Sequence, residues 1–313
     1  MIFIISLSLL TILFKVKLHY KFQRYYNDSL TQFYGITKDP ETEDFMLVLE
    51  YANNGSLRDY IKNNHLNLNW GNKLEILTYI ARTLNVIHKS QCVHRDLHSG
   101  NILNFEYKFK DYNSYKTKIT DLGLAQSLLR NNPHSSEIFG VLPYIAPEVL
   151  NGEPYTSASD IYSFGIIMIE LLTGEPPLGN VRHDKKLALA ICQGLRPRVP
   201  KGTPQRYIDL VNKCLDANPK NRPSYLINEI GSLENSLEPY AHEISPQNSS
   251  KIPLHPGAVY SSRFFNFSDL PKSRNSIGVQ IENPEGIIKY LKYFILICLI
   301  CILLIINFNI HLL

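Results

Sequence analysis

The sequence predicts an α+β fold in which a few strands come first and a mainly helical body follows. Three stretches carry that expectation. "EDFMLVLEYA" (43–52) is an aliphatic, β-branched run of strand type, and it stops at the turn residues Asn53, Asn54 and Gly55. "NKLEILTYIARTLNVIHKS" (72–90) places Leu74, Leu77, Ile80, Ala81, Leu84 and Ile87 at helical spacing. "SASDIYSFGIIMIELLTG" (157–174) is apolar nearly all round after its start, as in a helix buried in a core.

The other elements fall between these. "TQFYGIT" (31–37) reads as a second strand ahead of 43–52. Ser56 is placed to cap a short helix through "LRDYIKNN". Short strands are expected around 101–104 and 116–120, and "KFKDYNSYKTK" between them reads as an extended hairpin. "RYIDLVNKCLD" (206–216) and "SYLINEIGSLENSL" (224–237) add two helices.

The chain of 313 residues is long enough for one large domain or two modest ones. Its net charge of +4 is spread along the sequence, so nucleic-acid binding has no support. Five scattered cysteines do not form the framework of a disulfide-rich secreted domain. Cys298 and Cys301 make a C-x-x-C pair inside "YFILICLICILLII", where they read as apolar filler.

Four zones follow. Residues 1–14 are apolar, residues 15–236 form the folded domain, residues 237–290 are Ser-, Pro- and Asn-rich and read as a linker, and residues 293–313 are apolar again. Aromatics in "YSSRFFNF" are unusual for a linker and could dock on the domain. The last zone as one helix would be about 30 Å long, enough to span a bilayer. Lys289 and Lys292 precede it, so a tail anchor with the domain in the cytoplasm is expected. Residues 1–14 are either a second apolar anchor or the product of a misassigned start.

The chemistry concentrates in three ordered motifs. His94-Arg95-Asp96-Leu97 is followed by Asn101 at the fourth position beyond Leu97; then come Asp121-Leu122-Gly123 and Ala146-Pro147-Glu148. Together they resemble the protein kinase catalytic domain, with its H-R-D-L-x-x-x-N, D-F-G and A-P-E segments. Leu122 stands in the place of the Phe. The resemblance covers residues 15–236 and implies a protein-kinase-like fold, with a partial N-lobe over 15–52 and a helical C-lobe over 53–236. It implies phosphoryl transfer from ATP with Mg²⁺ to a protein substrate.

Residue by residue, the resemblance makes Asp96 the catalytic carboxylate that orients the substrate hydroxyl. Asn101 and Asp121 would hold Mg²⁺, since hard cations take oxygen ligands. Leu49 resembles the gatekeeper, Glu50 to Ala52 the hinge that meets adenine, and Leu103 the floor of that pocket. Glu148 and Arg222 resemble a buried ion pair, and Asp160 resembles the acid that braces the catalytic loop. His94 and Gly123 complete their motifs. Arg95 before the catalytic Asp implies control by phosphorylation of the activation segment, with Ser127, Ser135 and Ser136 as candidates.

Other parts of the family pattern do not occur in this sequence. No G-x-G-x-x-G precedes residue 44, the first glycine is Gly35, no V-A-I-K lysine is found, and no Glu precedes Glu41. Lys15 falls where the partner Glu is expected, and Lys15 or Lys17 are the candidates to replace the lysine. His98 stands where serine/threonine kinases have Lys and tyrosine kinases have Ala. "LEYANNGSL" resembles the tyrosine-kinase-like group, which favours serine/threonine as the substrate. Three readings stay open: a weak or inactive kinase, a pseudokinase that scaffolds a protein partner at a membrane, and part of a complete kinase with a misassigned start.

Overall fold

The computed structural model describes residues 16–17, 20, 30–109, 112–122, 126–127, 138–237, 253–267 and 269–275. The apolar runs 1–14 and 293–313, Lys15, Gly123, Ser135 and Ser136 lie outside them. Among the described residues, no helix is long and apolar enough to cross a membrane. The chain divides after Asn275, and every described residue belongs to the first unit.

Strand β1 (Phe33–Lys38) pairs antiparallel with β2 (Phe45–Leu49), with Lys38 opposite Phe45 and a bulge between Phe33 and Gly35. Asp39 closes the connection by accepting from the Glu41 and Thr42 N–H groups. Met46, Leu47 and Leu49 of β2 are buried. Leu47 and Leu49 pack with Val16 and Phe33, while Tyr34 (61% exposed) and Ile36 (43%) stand in solvent.

Ser56 caps helix α1 (Leu57–Asn64) by accepting from the Asp59 N–H. Helix α2 (Trp70–Lys89) begins two residues before the periodic run predicts, because Asn69 and Asn72 form a reciprocal capping box. Its predicted stripe is buried: Leu74, Leu77, Ile80, Ala81, Leu84 and Ile87 all sit in the core. Strand β3 (Cys92–Val93) follows. The expected hairpin is β4 (Ile102–Phe109) against β5 (Tyr112–Ile119), with Ile102 opposite Ile119 and Phe109 opposite Tyr112.

Strand β6 (Gln126–Ser127) pairs with β3, and β7 (Ile138–Gly140) comes next. A short helix α3 (Pro147–Leu150) starts with Pro at its first turn, where the missing N–H costs nothing. Helix α4 (Ser157–Thr173) is buried at every position from Ser159 to Leu172 and ends at Gly174, whose φ of 70° suits a glycine cap. Helix α5 (Lys185–Cys192), unexpected from its short pattern, is capped by Asp184. Helices α6 (Gln205–Cys214) and α7 (Leu226–Leu237) complete the body. Tyr207 of α6 donates to the Met168 carbonyl of α4 at 2.9 Å and meets Trp70 edge-on.

One expectation needs correction. The described part of the presumed linker is packed on the domain. Tyr260, Phe265, Phe267 and Leu270 lie against the main core, and strand β8 (Arg263–Phe265) pairs antiparallel with β7. Further along, Ser273 accepts from Asn151, and the Asn275 side chain accepts from the Ala217 N–H. Composition alone marks the stretch as polar. A few aromatics and main-chain pairing suffice to dock it.

Candidate active site

The loop from β3 to β4 is held from beneath by one acid. Asp160, 1% exposed on α4, accepts from the His94 N–H at 2.8 Å and the Arg95 N–H at 3.1 Å. His88 of α2 adds a contact at 2.8 Å. Burial would raise the Asp160 carboxyl pKa, but the His88 hydrogen bond and the loop N–H groups outweigh it and hold the pKa below the usual range. These bonds stabilise Arg95 at φ 73°, a left-handed conformation that is costly for a non-glycine residue. Asp160 thus ties two consecutive N–H groups of the loop to α4.

His94 links the two motif loops. Its Nδ1 faces the Asp96 N–H at 3.3 Å and its Nε2 faces the Thr120 carbonyl at 3.0 Å. Nδ1 then accepts and Nε2–H donates, which is the neutral tautomer. The Thr120 N–H donates in turn to the Asn101 carbonyl at 2.9 Å. Asn101 and the residue before Asp121 are thereby joined through the backbone. Asp121 itself takes a left-handed φ of 52°.

Asp96 is 5% exposed. The Asn101 side-chain amide donates to its carbonyl at 2.9 Å and faces its Oδ2 at 3.3 Å. Oδ2 also accepts from the Ser262 hydroxyl at 2.7 Å. Burial pushes the Asp96 pKa up, yet the adjacent His98 ring and the Ser262 hydroxyl outweigh it and hold it below its ordinary value, so the carboxylate is ionised at neutral pH. His98 lies beside it: Nε2 is 3.6 Å from Asp96 Oδ1, and Nδ1 accepts from the Gly100 N–H at 3.1 Å. Arg58 contacts the same Nδ1 at 3.3 Å. Burial pushes the His98 pKa down, in keeping with a neutral ring.

Beneath the loop, Ser99 donates to Glu170 at 2.8 Å and Tyr144 donates to its other oxygen at 2.7 Å. Burial raises the Glu170 pKa. The sequence reading assigned no role to Ser99, Tyr144, Glu170, Arg58 or Ser262. Tyr144 lies in "GVLPYIAPE" beside a recognised motif, Ser99 lies inside the His94–Asn101 run and Ser262 in "YSSRFFNF"; Arg58 and Glu170 carry no local signal.

Glu148 and Arg222 form the expected ion pair, bidentate at 2.7 Å on both arms, with both residues 4% exposed. Arg95 places its guanidinium over the Tyr155 ring, 4.7 Å from the centroid. Ser127 lies on β6, opposite Cys92.

Of the residues expected to meet adenine, Ala52 and Leu103 form a small buried apolar cluster with Phe105, and Leu49 belongs to the β1–β2 cluster. The Asn54 N–H donates to the Asn104 carbonyl and the Asn104 N–H to the Gly55 carbonyl, which ties the turn after the hinge-like segment to β4. Glu50 pairs with Lys118 at 2.6 Å. Lys17 is exposed. Ala52, Leu103 and Phe105 are of the residue type that meets a flat apolar ring, and the oxygens of Asn101 and Asp121 are of the type a hard cation takes. The Asn101 amide nitrogen is turned to Asp96, so its oxygen is the atom of that side chain able to meet a cation, and the Thr120 N–H ties the backbone just before Asp121 to Asn101. A Mg²⁺ held by few protein oxygens and the substrate phosphates needs no more.

Comparison with known proteins agrees with the motifs. A family model described as protein tyrosine and serine/threonine kinase matches residues 17–230. A probable serine/threonine-protein kinase of Dictyostelium discoideum is 33% identical over 215 residues, which is 67% of this chain and 22% of that protein. The dual specificity protein kinase zakA of the same organism is 32% identical over 222 residues, 66% of this chain and 28% of the relative. A serine/threonine-protein kinase of Arabidopsis thaliana is 28% identical over 216 residues, 66% of this chain and 36% of the relative. The chain thus spans well under half the length of these curated relatives.

Proposed function

The chain belongs to the protein tyrosine and serine/threonine kinase family, and from that membership we propose that its Asp96 site orients a serine or threonine hydroxyl of a protein for transfer of the ATP γ-phosphoryl group. The observation that carries this reading is the ionised, buried Asp96 carboxylate with a hydroxyl 2.7 Å from Oδ2 and Asn101 alongside. A carboxylate so placed can align a hydroxyl and take its proton.

When bound, Mg²⁺ would neutralise phosphate charge, and Asn101 and Asp121 are the residues to hold it. His94 keeps the Asp96 and Asp121 loops in register. Asp160 fixes the loop that carries Asp96. Ala52 and Leu103 would meet the adenine ring.

The glycine loop, the phosphate lysine and its Glu partner are not in these 313 residues. The same reading therefore holds that this polypeptide transfers phosphate weakly or not at all by itself. The run 293–313 would hold the domain at the cytosolic face of a membrane. A radiolabelled-ATP assay on the purified chain tests the transfer. Turnover far below the ordinary range of about 1–100 s⁻¹ is expected. Turnover within that range, abolished by Asp96→Ala, overturns the claim of weak transfer.

The absent phosphate-gripping groups favour a second reading, a protein-binding module without catalysis. It predicts no rise in melting temperature with Mg-ATP, whereas nucleotide bound at a hundred times its Kd would stabilise the fold by about 2.7 kcal/mol.

A further inference from the structure

Asp96 already holds a serine hydroxyl, and the chain around that serine is seated on both sides. Ser262 Oγ donates to Asp96 Oδ2 at 2.7 Å and lies 3.1 Å from His98 Nε2. His98 Nδ1 accepts from Gly100, so Nε2 carries the proton and donates to Ser262. The hydroxyl is thus oriented by one donor and one acceptor.

After Ser262 the chain becomes β8 and pairs with β7 in an unbroken antiparallel register: Arg263 opposite Gly140, Phe264 opposite Phe139, Phe265 opposite Ile138. Arg263 donates to the His183 carbonyl at 2.6 Å. The Phe264 ring meets Phe139 at 4.7 Å, edge to face. Gly140 is needed at this crossing. Its φ is 144°, and a Cβ there would come within 3.3 Å of Asp96 Oδ1.

Before Ser262, Tyr260 fills a built site. Its hydroxyl donates to the Pro177 carbonyl at 2.9 Å, and its ring meets His183 at 4.9 Å. Arg58 lies over the ring at 5.3 Å and donates to the Tyr260 carbonyl at 2.9 Å. The Val259 N–H faces His183 Nδ1 at 3.2 Å. Strand addition gives affinity through main-chain bonds and specificity through the side-chain sites beside them. Both are present here.

We infer that the face between β7, His183 and Asp96 is a groove for extended serine-bearing peptides, with an aromatic residue two places before the serine and Arg directly after it, and that residues 258–265 occupy it in cis. The inference rests on the reading of Asp96 as the carboxylate that orients an acceptor hydroxyl, and it names the peptide class that carries the hydroxyl. A tethered segment competes at an effective concentration on the order of millimolar. A free peptide therefore meets a closed groove. A negative group at position 262 would face the Asp96 carboxylate and expel the segment, because like charges at that distance repel.

The test uses the full chain and a labelled synthetic peptide, PGAVYSSRFFNFS, copying residues 256–268. In Ser262→Glu, amide exchange over 263–265 and 138–140 should quicken at least tenfold, and the peptide should bind at least tenfold more tightly than to the unchanged chain. Arg263→Glu, which sets a carboxylate against the His183 carbonyl, should act in the same direction. Peptides with Glu for the central serine, or Ala for the tyrosine, should not bind. No variant is needed for a third measurement: millimolar peptide added to the unchanged chain should quicken exchange over 258–265. Unchanged exchange with added peptide, or unchanged exchange and affinity in both folded variants, overturns the inference. None of these readouts uses nucleotide, so failure of phosphate transfer and failure of the groove are told apart.

Discussion

Replacing Arg222 with Met isolates what holds the Ala146–Glu148 turn to the helical body. The two guanidinium arms each reach a Glu148 oxygen at 2.7 Å. Nη1 also donates to the Ala158 carbonyl and Nε to the Asp216 carbonyl, both at 2.9 Å. The side chains are 0% and 5% exposed, so water cannot replace what is removed. Arg222→Met strands the Glu148 carboxylate and leaves two carbonyls short of a donor. One-sided removal from a buried pair costs about 3–5 kcal/mol. At about 2–4 °C per kcal/mol for a domain of this size, the melting temperature should fall by roughly 6–20 °C. Glu148→Leu should cost a similar amount. The double variant should recover most of the loss, since an apolar pair of similar volume is often as stable as a buried ion pair. Urea melts of all four proteins give the coupling directly. A single-variant loss under about 1 kcal/mol, or a double variant that loses the sum of the singles, would refute this account.

Two further expectations concern the packing around the site. Gly165 lies on α4 where a Cβ would sit 2.8 Å from the Cys214 Cβ and 2.9 Å from Leu215, so Gly165→Ala should cost about 1–3 kcal/mol by overpacking, and a thermal melt unchanged within error counts against it. Lys73 is buried with its Nζ donating to the Leu68 carbonyl at 2.7 Å, and burial pushes its pKa down to about 8. The folded chain then binds that proton less tightly than the unfolded chain, so the stability of the wild type relative to Lys73→Met should rise between about pH 8 and pH 10. Lys73→Met should be the more stable protein at pH 7, by about 1–3 kcal/mol at 1.36 kcal/mol per pKa unit, and paired urea melts should show the gap narrowing as pH rises. A gap that widens would sink the argument.

Elements whose stability is local were legible in the residues alone. The stripe of α2 and the all-round apolar α4 announced themselves through periodicity, and Ser56 marked a helix start by its capping chemistry. Helix α5 was not read from the sequence, although Asp184 offered the same kind of capping signal as Ser56 does for α1. The loop from β3 to β4 could be read because its residues keep fixed spacing, and in the structure Asp96, Asn101 and the backbone before Asp121 are joined through His94 and Thr120. Asp160, Glu148 and Arg222 were singled out by resemblance alone; in the structure Asp160 meets the His94 and Arg95 N–H groups and Glu148 meets Arg222.

What surrounds Asp96 was decided by tertiary structure. The sequence by itself determined the helical body, the motif loops and the residue types able to align a hydroxyl, because spacing, capping and periodicity act over a few residues. It did not say that Ser262, Tyr260 and Arg263 meet Asp96, Arg58 and His183. Those contacts join positions 80 to 202 residues apart. They form only when β7, itself positioned by the core, offers an unpaired edge to a segment whose own composition reads as a linker. Main-chain pairing is available to almost any sequence, so the partner of that edge is chosen by where the folded body leaves it open and by which side chains find their sites beside it.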